Sequence, residues 1–391
     1  MKTFKIIRNF LIGVLSFFVF LFAFIAATAA PDTAFRMFYY NTTDIEDFKI
    51  FPYRVLRASE KPSELKTDNG LFIPETYQGF PLDTFLESNG TLAFLILKGD
   101  TILYERYFGG YSVSDAIQAF SMSKSLFSIL VGQAVDDGYF RVDQRVTDFV
   151  PELAGHGFER VTIEHLLQMA SGSNYRQTGF NELNPLSLHP RFEYSPRLEK
   201  EITTTLKVID EPGTQFIYKS GDTALLSLIL KRVLKDKTIT DYMEEMVWLP
   251  LGMEYDGFYT IDHSGADALE KVWCCLAATG RDFARFGLLM LNNGKWNGAQ
   301  ILSSDWVWKS TQVNPGETRH PSTMMFEGGI KSYQYYWWLG ANDNAYFGAG
   351  HLGQYLYVNP RRNVIIIRLG REGDNTTLWL DLFTYLSQNI P

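Results

Sequence analysis

Ser121-Met122-Ser123-Lys124 is the stretch of this chain best able to do chemistry. A serine hydroxyl is a poor nucleophile at neutral pH and needs a base within hydrogen-bond reach. On a helix, residues three apart share a face, so Lys124 can return to Ser121. A lysine facing a partly buried pocket has its charged form disfavoured by desolvation, and a neutral Lys124 would take the Ser121 proton. The bare spacing is common, and Ser63-Glu64-Leu65-Lys66 repeats it. That copy follows Pro62 in a polar stretch. The Ser121 copy opens onto Leu126, Ile129, Leu130 and Ala134, an apolar stripe at helical spacing. On spacing alone Ser121 reads equally well as a helix N-cap.

Two further constellations can join it. Tyr218-Lys219-Ser220 follows Glu211-Pro-Gly-Thr214 and precedes a helical pattern. A tyrosine hydroxyl serves as general acid or base when nearby cations lower its pKa. Taken alone, Tyr218 reads more simply as a half-buried side chain with its hydroxyl at the surface. Gly350-His351-Leu352-Gly353-Gln354 lies just before a late strand. Glycines there let the backbone approach a ligand, and a strand edge can present an N–H as half of an oxyanion hole. His351 would orient substrate or join the proton network. A plain glycine-rich turn has the same look.

The elements that must position these groups follow from patterning. Leu92 to Phe108 reads as a hairpin around Lys98-Gly99-Asp100. The Ser121 helix runs on to Gly138. Helices are expected at 162–169, 222–234, 240–248 and 282–292, with loops over 173–215 that carry Pro185, Pro190, Pro196 and Pro212. Long loops of this kind often border a site. Strands are expected at 344–347, 354–358 and 364–369, and a terminal helix over 376–390. Strands at both ends around a helical middle predict an α/β (α+β) fold, with one sheet made from N- and C-terminal parts and an inserted, mainly helical lobe at about 156–265. Residues 31–70, without clear period, read as an extension packed on the surface of a 71–391 body.

Composition narrows the function. The chain has 391 residues, 46% of them hydrophobic and 20% charged, which is globular. A net charge of -8 without a basic stripe speaks against a nucleic-acid partner. Lys2, Lys5 and Arg8 precede the uncharged run Phe10 to Ile25, and Ala27-Thr28-Ala29 gives a small-x-small cleavage pattern. Residues 1–30 therefore read as a signal peptide. The uncharged stretch to Ala30 also has the length of a membrane anchor. Either reading places the rest outside the cytoplasmic membrane, periplasmic or otherwise extracytoplasmic, with residues 10–30 as the route to membrane association. The only cysteines, Cys274 and Cys275, are neighbours, a spacing that rarely gives a relaxed disulfide, so the fold is expected to rest on its core. Six histidines show no H-x-H or H-E-x-x-H spacing, and neither a metal site nor a cofactor is expected.

In this order the motifs resemble the serine β-lactamase and penicillin-binding-protein superfamily. The resemblance is greater to its class C-like esterase branch, which includes carboxylesterases and 6-aminohexanoate-dimer hydrolases. The matching stretches are Phe120 to Ser125, Gly132 with Asp136-Asp137-Gly138, Val146 to Pro151, Thr162 to Gly172, Glu211 to Thr214, Tyr218 to Asp222, Gly280 to Gly287 and Gly350 to Gln354, spread over about residues 75 to 390. The resemblance implies a β-lactamase-like antiparallel sheet flanked by helices. It implies Ser121 as the acylated nucleophile, Lys124 and Tyr218 sharing proton transfer, oxyanion donors at the backbone N–H groups of Ser121 and Gln354, and Ser220, His351 and Gly353 at the substrate. Two departures matter. Ser220 stands where class C β-lactamases have Asn, and His351-Leu352-Gly353 stands where they have Lys-Thr-Gly. The second change removes a permanent cation for a substrate carboxylate. Lys219-Ser220-Gly221 mimics that Lys-Thr-Gly triad, but it leads into a helix and not along a strand edge. The expectation is a cofactor-free serine hydrolase for a small-molecule ester or amide. The alternatives are a β-lactamase or D,D-peptidase and, in another class, an exported non-catalytic binding protein on the same scaffold.

Overall fold

A computed structural model describes residues 2–28, 30–40, 43–68, 73–177, 184, 186–313, 330–340, 342–373 and 375–390. Ala29 of the cleavage pattern, Pro185, His320 and residue 71, the expected start of the body, lie outside these residues. The chain begins with helix α1 (Lys2–Thr28) and a short helix α2 (Pro31–Tyr39). Strands β1 (Tyr53–Leu56) and β2 (Lys66–Thr67) precede the hairpin β3 (Thr91–Lys98) and β4 (Thr101–Tyr107). Strand β5 (Ile117–Gln118) leads through a 3-10 turn, Phe120–Met122, into α3 (Ser123–Asp136). Helices α4 (Leu188–Tyr194) and α5 (Ser220–Leu234) belong to the middle of the chain. Strands β6 (Gly257–Thr260) and β7 (Leu276–Ala278) lead to α6 (Gly280–Leu291). Strands β8 (Ile330–Gln334), β9 (Trp337–Gly340), β10 (Tyr346–Gly350), β11 (Gln354–Asn359) and β12 (Val364–Gly370) then precede α7 (Thr376–Asn389).

The main sheet has eight strands in the order β8-β9-β10-β11-β12-β3-β4-β2. It joins the early hairpin to the late strands through the antiparallel pairing of Ile366 with Ile96. Strand β3, Thr-Leu-Ala-Phe-Leu-Ile-Leu-Lys, is buried on both faces, so its apolar run is continuous and does not alternate. Helix α6 packs on β11 and β12. Helix α7 covers the sheet through Phe383, whose ring meets Phe94, Tyr355 and Tyr357. Helix α3 is buried from Ser123 to Ala134, so its apolar stripe has widened into a whole core helix. It lies against β10 at Gly348, where an added Cβ would come within 2.9 Å of Ser125 Oγ.

The early hairpin, the helices expected at 121–138, 162–169, 222–234, 282–292 and 376–390 and the three late strands fall where patterning put them, with ends displaced by up to three residues. Thr240–Trp248 is helical but divides into an α turn, Ile239–Met243, and a π turn, Glu244–Trp248. Strands β8 and β9 escaped the pattern reading because their buried residues are consecutive and do not alternate. A second sheet, β1-β6-β7-β5, also went unread. It corrects the reading of residues 31–70: β1 pairs Tyr53 with Thr260, and β2 joins the main sheet beside Thr101. The extension is woven into the body. The cysteine expectation is corrected as well, since Cys274 and Cys275 are bonded to each other. Successive side chains diverge on a strand. Here Cys274 N–H and Cys275 N–H both donate to Lys271 O, and that turn brings the sulfurs together.

Candidate active site

Strand β5 delivers the chain to the 3-10 turn carrying Ser121, with Gln118 paired to Ala277 and Ala119 N–H donating to Leu276 O. Phe120, buried, holds φ at +46°, a left-handed conformation costly for a bulky side chain. Such backbone strain is of order 1–3 kcal/mol and persists only where packing over-determines it. It turns Ser121 into the cavity at the start of α3.

One turn on, Lys124 is 1% exposed. Its Nζ donates to Ser121 Oγ at 3.1 Å and to the Trp273 carbonyl at 2.8 Å. The same nitrogen lies 5.0 Å from the centre of the Tyr218 ring. Tyr218 lies two residues before the start of α5 and is buried. Its ring stacks on Trp338 of β9 at 5.6 Å and meets Tyr333 of β8 edge-on at 6.0 Å. The three residues expected to share proton transfer are therefore brought together. The two strands that fix the tyrosine are those that the pattern missed.

Ser220 is buried and lines the cavity, and its backbone N–H donates to Gln177 Oε1. Lys219-Ser220-Gly221 does lead into a helix, α5. Lys219 points away into the interior, where its Nζ has no hydrogen-bond partner and burial lowers its pKa. Asp222 is buried beside it, its pKa raised by burial, and accepts from Ser171 Oγ at 2.5 Å.

Residues His351 to Gly353 form a 3-10 turn, with Leu352 at φ +60° and Gly353 at φ +81°. Arg368, fully buried on β12, holds the turn in place. It donates to Gly353 O at 2.5 Å, Asn89 O at 2.6 Å, Glu372 O at 3.0 Å and Thr91 Oγ1 at 3.0 Å, and stacks over Trp379 at 3.6 Å. Gln354 is buried, and its side chain bridges His351 O and the backbone of Gly370. His351 stands exposed at the cavity rim, its ring 5.7 Å from that of Phe120.

The cavity holds about 490 Å³ and is lined by Phe120, Ser121, Ser220 and His351 together with several residues that motif reading did not reach. Lys271 is fully buried, and burial pulls its pKa down to about 8. Its Nζ donates to Glu193 O and lies 5.2 Å over the Phe51 ring. Glu193 accepts from Trp273 Nε1 at 2.6 Å. Met37, Thr43, Asp47 and Phe51 of the extension also line it. Burial raises the Asp47 pKa to about 6. These residues are scattered along the chain and meet only in the fold, so no local pattern marked them. The Trp273 carbonyl had no signal either, because every residue carries a carbonyl.

The Glu193 carboxylate and the two cysteine sulfurs lie within 4.8 Å of one another. With the sulfurs bonded together, the group offers no thiolate and does not fit a metal ion.

The Beta-lactamase family profile matches residues 83–375. The 6-aminohexanoate-dimer hydrolase of Paenarthrobacter ureafaciens is 30% identical over 307 residues, covering 76% of each chain. A Bacillus anthracis protein proposed as a 6-aminohexanoate-dimer hydrolase superposes with a TM-score of 0.72 at 21% identity, over 90% of this chain and 95% of its own. The hydrolase EstCE1, which has promiscuous acyltransferase activity, superposes at 0.58 with 15% identity, over 74% of this chain and 91% of its own.

Proposed function

We infer, for a chain that belongs to the Beta-lactamase family and is a hydrolase, that it cleaves an ester or amide through an acyl-enzyme on Ser121. The observation that carries this reading is the 3.1 Å hydrogen bond from Lys124 Nζ to Ser121 Oγ beside the Tyr218 ring, opening on a cavity. Substrate carbonyl carbon meets Ser121 Oγ as the hydroxyl proton passes to Lys124. The Trp273 carbonyl keeps the lysine nitrogen aimed while it works. The backbone N–H groups of Ser121 and Gln354 take the oxyanion, an arrangement worth about 2.7–4 kcal/mol per donor in serine hydrolases. Tyr218, in contact with Lys124, returns the proton to the leaving group, and water then releases the acyl group from Ser121. Ser220, His351 and Gly353 border the substrate.

With His351 where β-lactamases carry lysine, a permanent partner for a substrate carboxylate is missing from that turn, which favours an ester or a linear amide over a β-lactam. The relative from Paenarthrobacter is named for a linear amide, and that class comes first in the assay. The helical lobe at about 156–265 would form one wall of the cleft and the sheet the other. Export and anchoring through residues 10–30 belong to the same reading.

The test is Ser121→Ala. It should abolish turnover of p-nitrophenyl esters and linear amides and remove labelling by a fluorophosphonate probe, with the circular dichroism spectrum unchanged. Full activity in this variant would refute the mechanism. Turnover of nitrocefin with a stable penicillin adduct on Ser121 would transfer the reading to a β-lactamase or D,D-peptidase. An unlabelled parent protein would point to a binding protein.

A further inference from the structure

Helix α1 contains a 26-residue stretch, Thr3–Thr28, long and apolar enough to cross a membrane. At 1.5 Å per residue it exceeds the roughly 30 Å hydrocarbon core. Its side chains stand exposed along its length, Phe10 and Phe20 each at 69%. Its C-terminal end does not hang free. Ile25 packs with Ala34 and Met37 of α2 and against Tyr194 of α4. Arg191 donates to Thr28 O, and Arg36 of α2 donates to Asp262 O.

Helix α2 has two faces. Inward, Ala34 and Met37 are buried, and Met37 lines the cavity that holds Ser121. Outward, Phe35 and Tyr39 are 54% and 68% exposed and stack on each other at 5.5 Å. An exposed aromatic pair just past a spanning helix is where interfacial rings are enriched. From that pair a run of ring contacts leads inward: Tyr39 to Tyr40 at 4.8 Å, and Tyr40 to Phe51 at 5.1 Å. Phe51 is itself cavity lining. The basic residues Lys2, Lys5 and Arg8 lie in the first turns of α1, ahead of its uncharged run Phe10 to Ile25, so the positive-inside rule puts the body on the far side.

We propose that the mature enzyme keeps α1 in the bilayer and takes its substrate, an amphiphilic fatty-acyl ester or amide, from the adjacent leaflet along α2 to Ser121. The mixed lining of the cavity, with Met37 and Phe51 beside Lys271 and Glu193, suits an acyl chain carrying a polar group. The inference rests on the serine-hydrolase reading above. It adds the substrate's source and the role of the extension.

The test uses the full chain in phosphatidylcholine–phosphatidylglycerol vesicles. Intact mass should include residues 1–30, with the protein in the membrane fraction. Hydrolysis of vesicle-borne p-nitrophenyl palmitate and of aqueous p-nitrophenyl acetate is then compared. Phe35→Ser combined with Tyr39→Ser should lower the palmitate rate at least fivefold and leave the acetate rate and fluorophosphonate labelling unchanged. Replacing both by Trp should keep the parent palmitate rate, which guards against misfolding of the serine pair. A soluble mature chain lacking α1 overturns the proposal, as does a palmitate rate indifferent to both changes while labelling persists. Absence of labelling in the parent overturns the hydrolase reading itself, and this proposal with it.

Discussion

Lys124 has a hydroxyl and a backbone carbonyl as its hydrogen-bond partners, and that environment decides what its replacement does. Lys124→Ala should lower kcat by about 10²–10⁴, the usual worth of a positioned acid–base group, with little change in KM, read by steady-state kinetics on an activated ester. Tyr218→Phe keeps the stack on Trp338 and removes only the hydroxyl. It should fall in the same range, and a loss below threefold would take Tyr218 out of the proton path. Lys271 makes a different prediction, about stability. Its pKa is depressed to about 8 by burial. Below pH 8 the lysine is charged in both folded and unfolded states, and the folded state bears the full cost, up to about 3 kcal/mol. Between about pH 8 and 10.5 the folded state releases the proton while the unfolded state keeps it, so this contribution to stability improves as pH rises. Urea denaturation of Lys271→Met against the parent should show the variant's relative stability declining by up to that amount from pH 7.5 to 10.5. A pH-independent difference would mean the side chain stays hydrated. At this scale the sequence was legible where chemistry is written in residue types. Ser121 and Lys124 are three apart, one on the 3-10 turn and the other in the first turn of the helix that continues it, so local geometry brought them together. The Trp273 carbonyl that aims Lys124 is main chain, and no residue type announces it.

Among elements, the turn before β11 is the one most dependent on a distant partner. Gly353 sits at φ +81°, and a Cβ there would lie 1.9 Å from Arg368 Nη1. Arg368 in turn satisfies carbonyls from three segments and carries its charge into the interior, where removing it strands those acceptors. Arg368→Met should cost about 2–4 kcal/mol in urea denaturation and lower kcat more than it raises KM, because it loosens the turn bearing His351 and Gln354 without touching Ser121. Gly353→Ala should do the same by pushing the guanidinium out. The turn itself was readable from Gly350 to Gln354. Its clamp was not, since an arginine within the run Val-Ile-Ile-Ile-Arg-Leu looks like a surface residue on an alternating strand. The sheet is covered on both faces, so that position is core. The same cause hid β8 and β9: alternation reports a half-exposed strand, and in these successive residues are buried, Ser332 to Gln334 and Trp337 to Leu339.

For the molecule as a whole, the α+β class and the sheet built from both ends of the chain could be read because strand-like runs flank a helical middle. What could not be read was the extension. Its strands of two and four residues are stabilised by pairing with partners some 35 and 200 positions away, and such pairing leaves no local periodicity. Strand β12 shows the reach of that architecture. It lies between β11 and β3, the seam joining early and late strands, so residues 91–107 have no neighbour on that side until positions 364–370 arrive. Synthesis on a ribosome therefore yields a chain that already carries Ser121, Lys124 and Tyr218 yet lacks the strand that joins the two parts of the sheet until residues 364–370 are made. A message with a stop codon after Asn359 should give an insoluble product that no fluorophosphonate modifies.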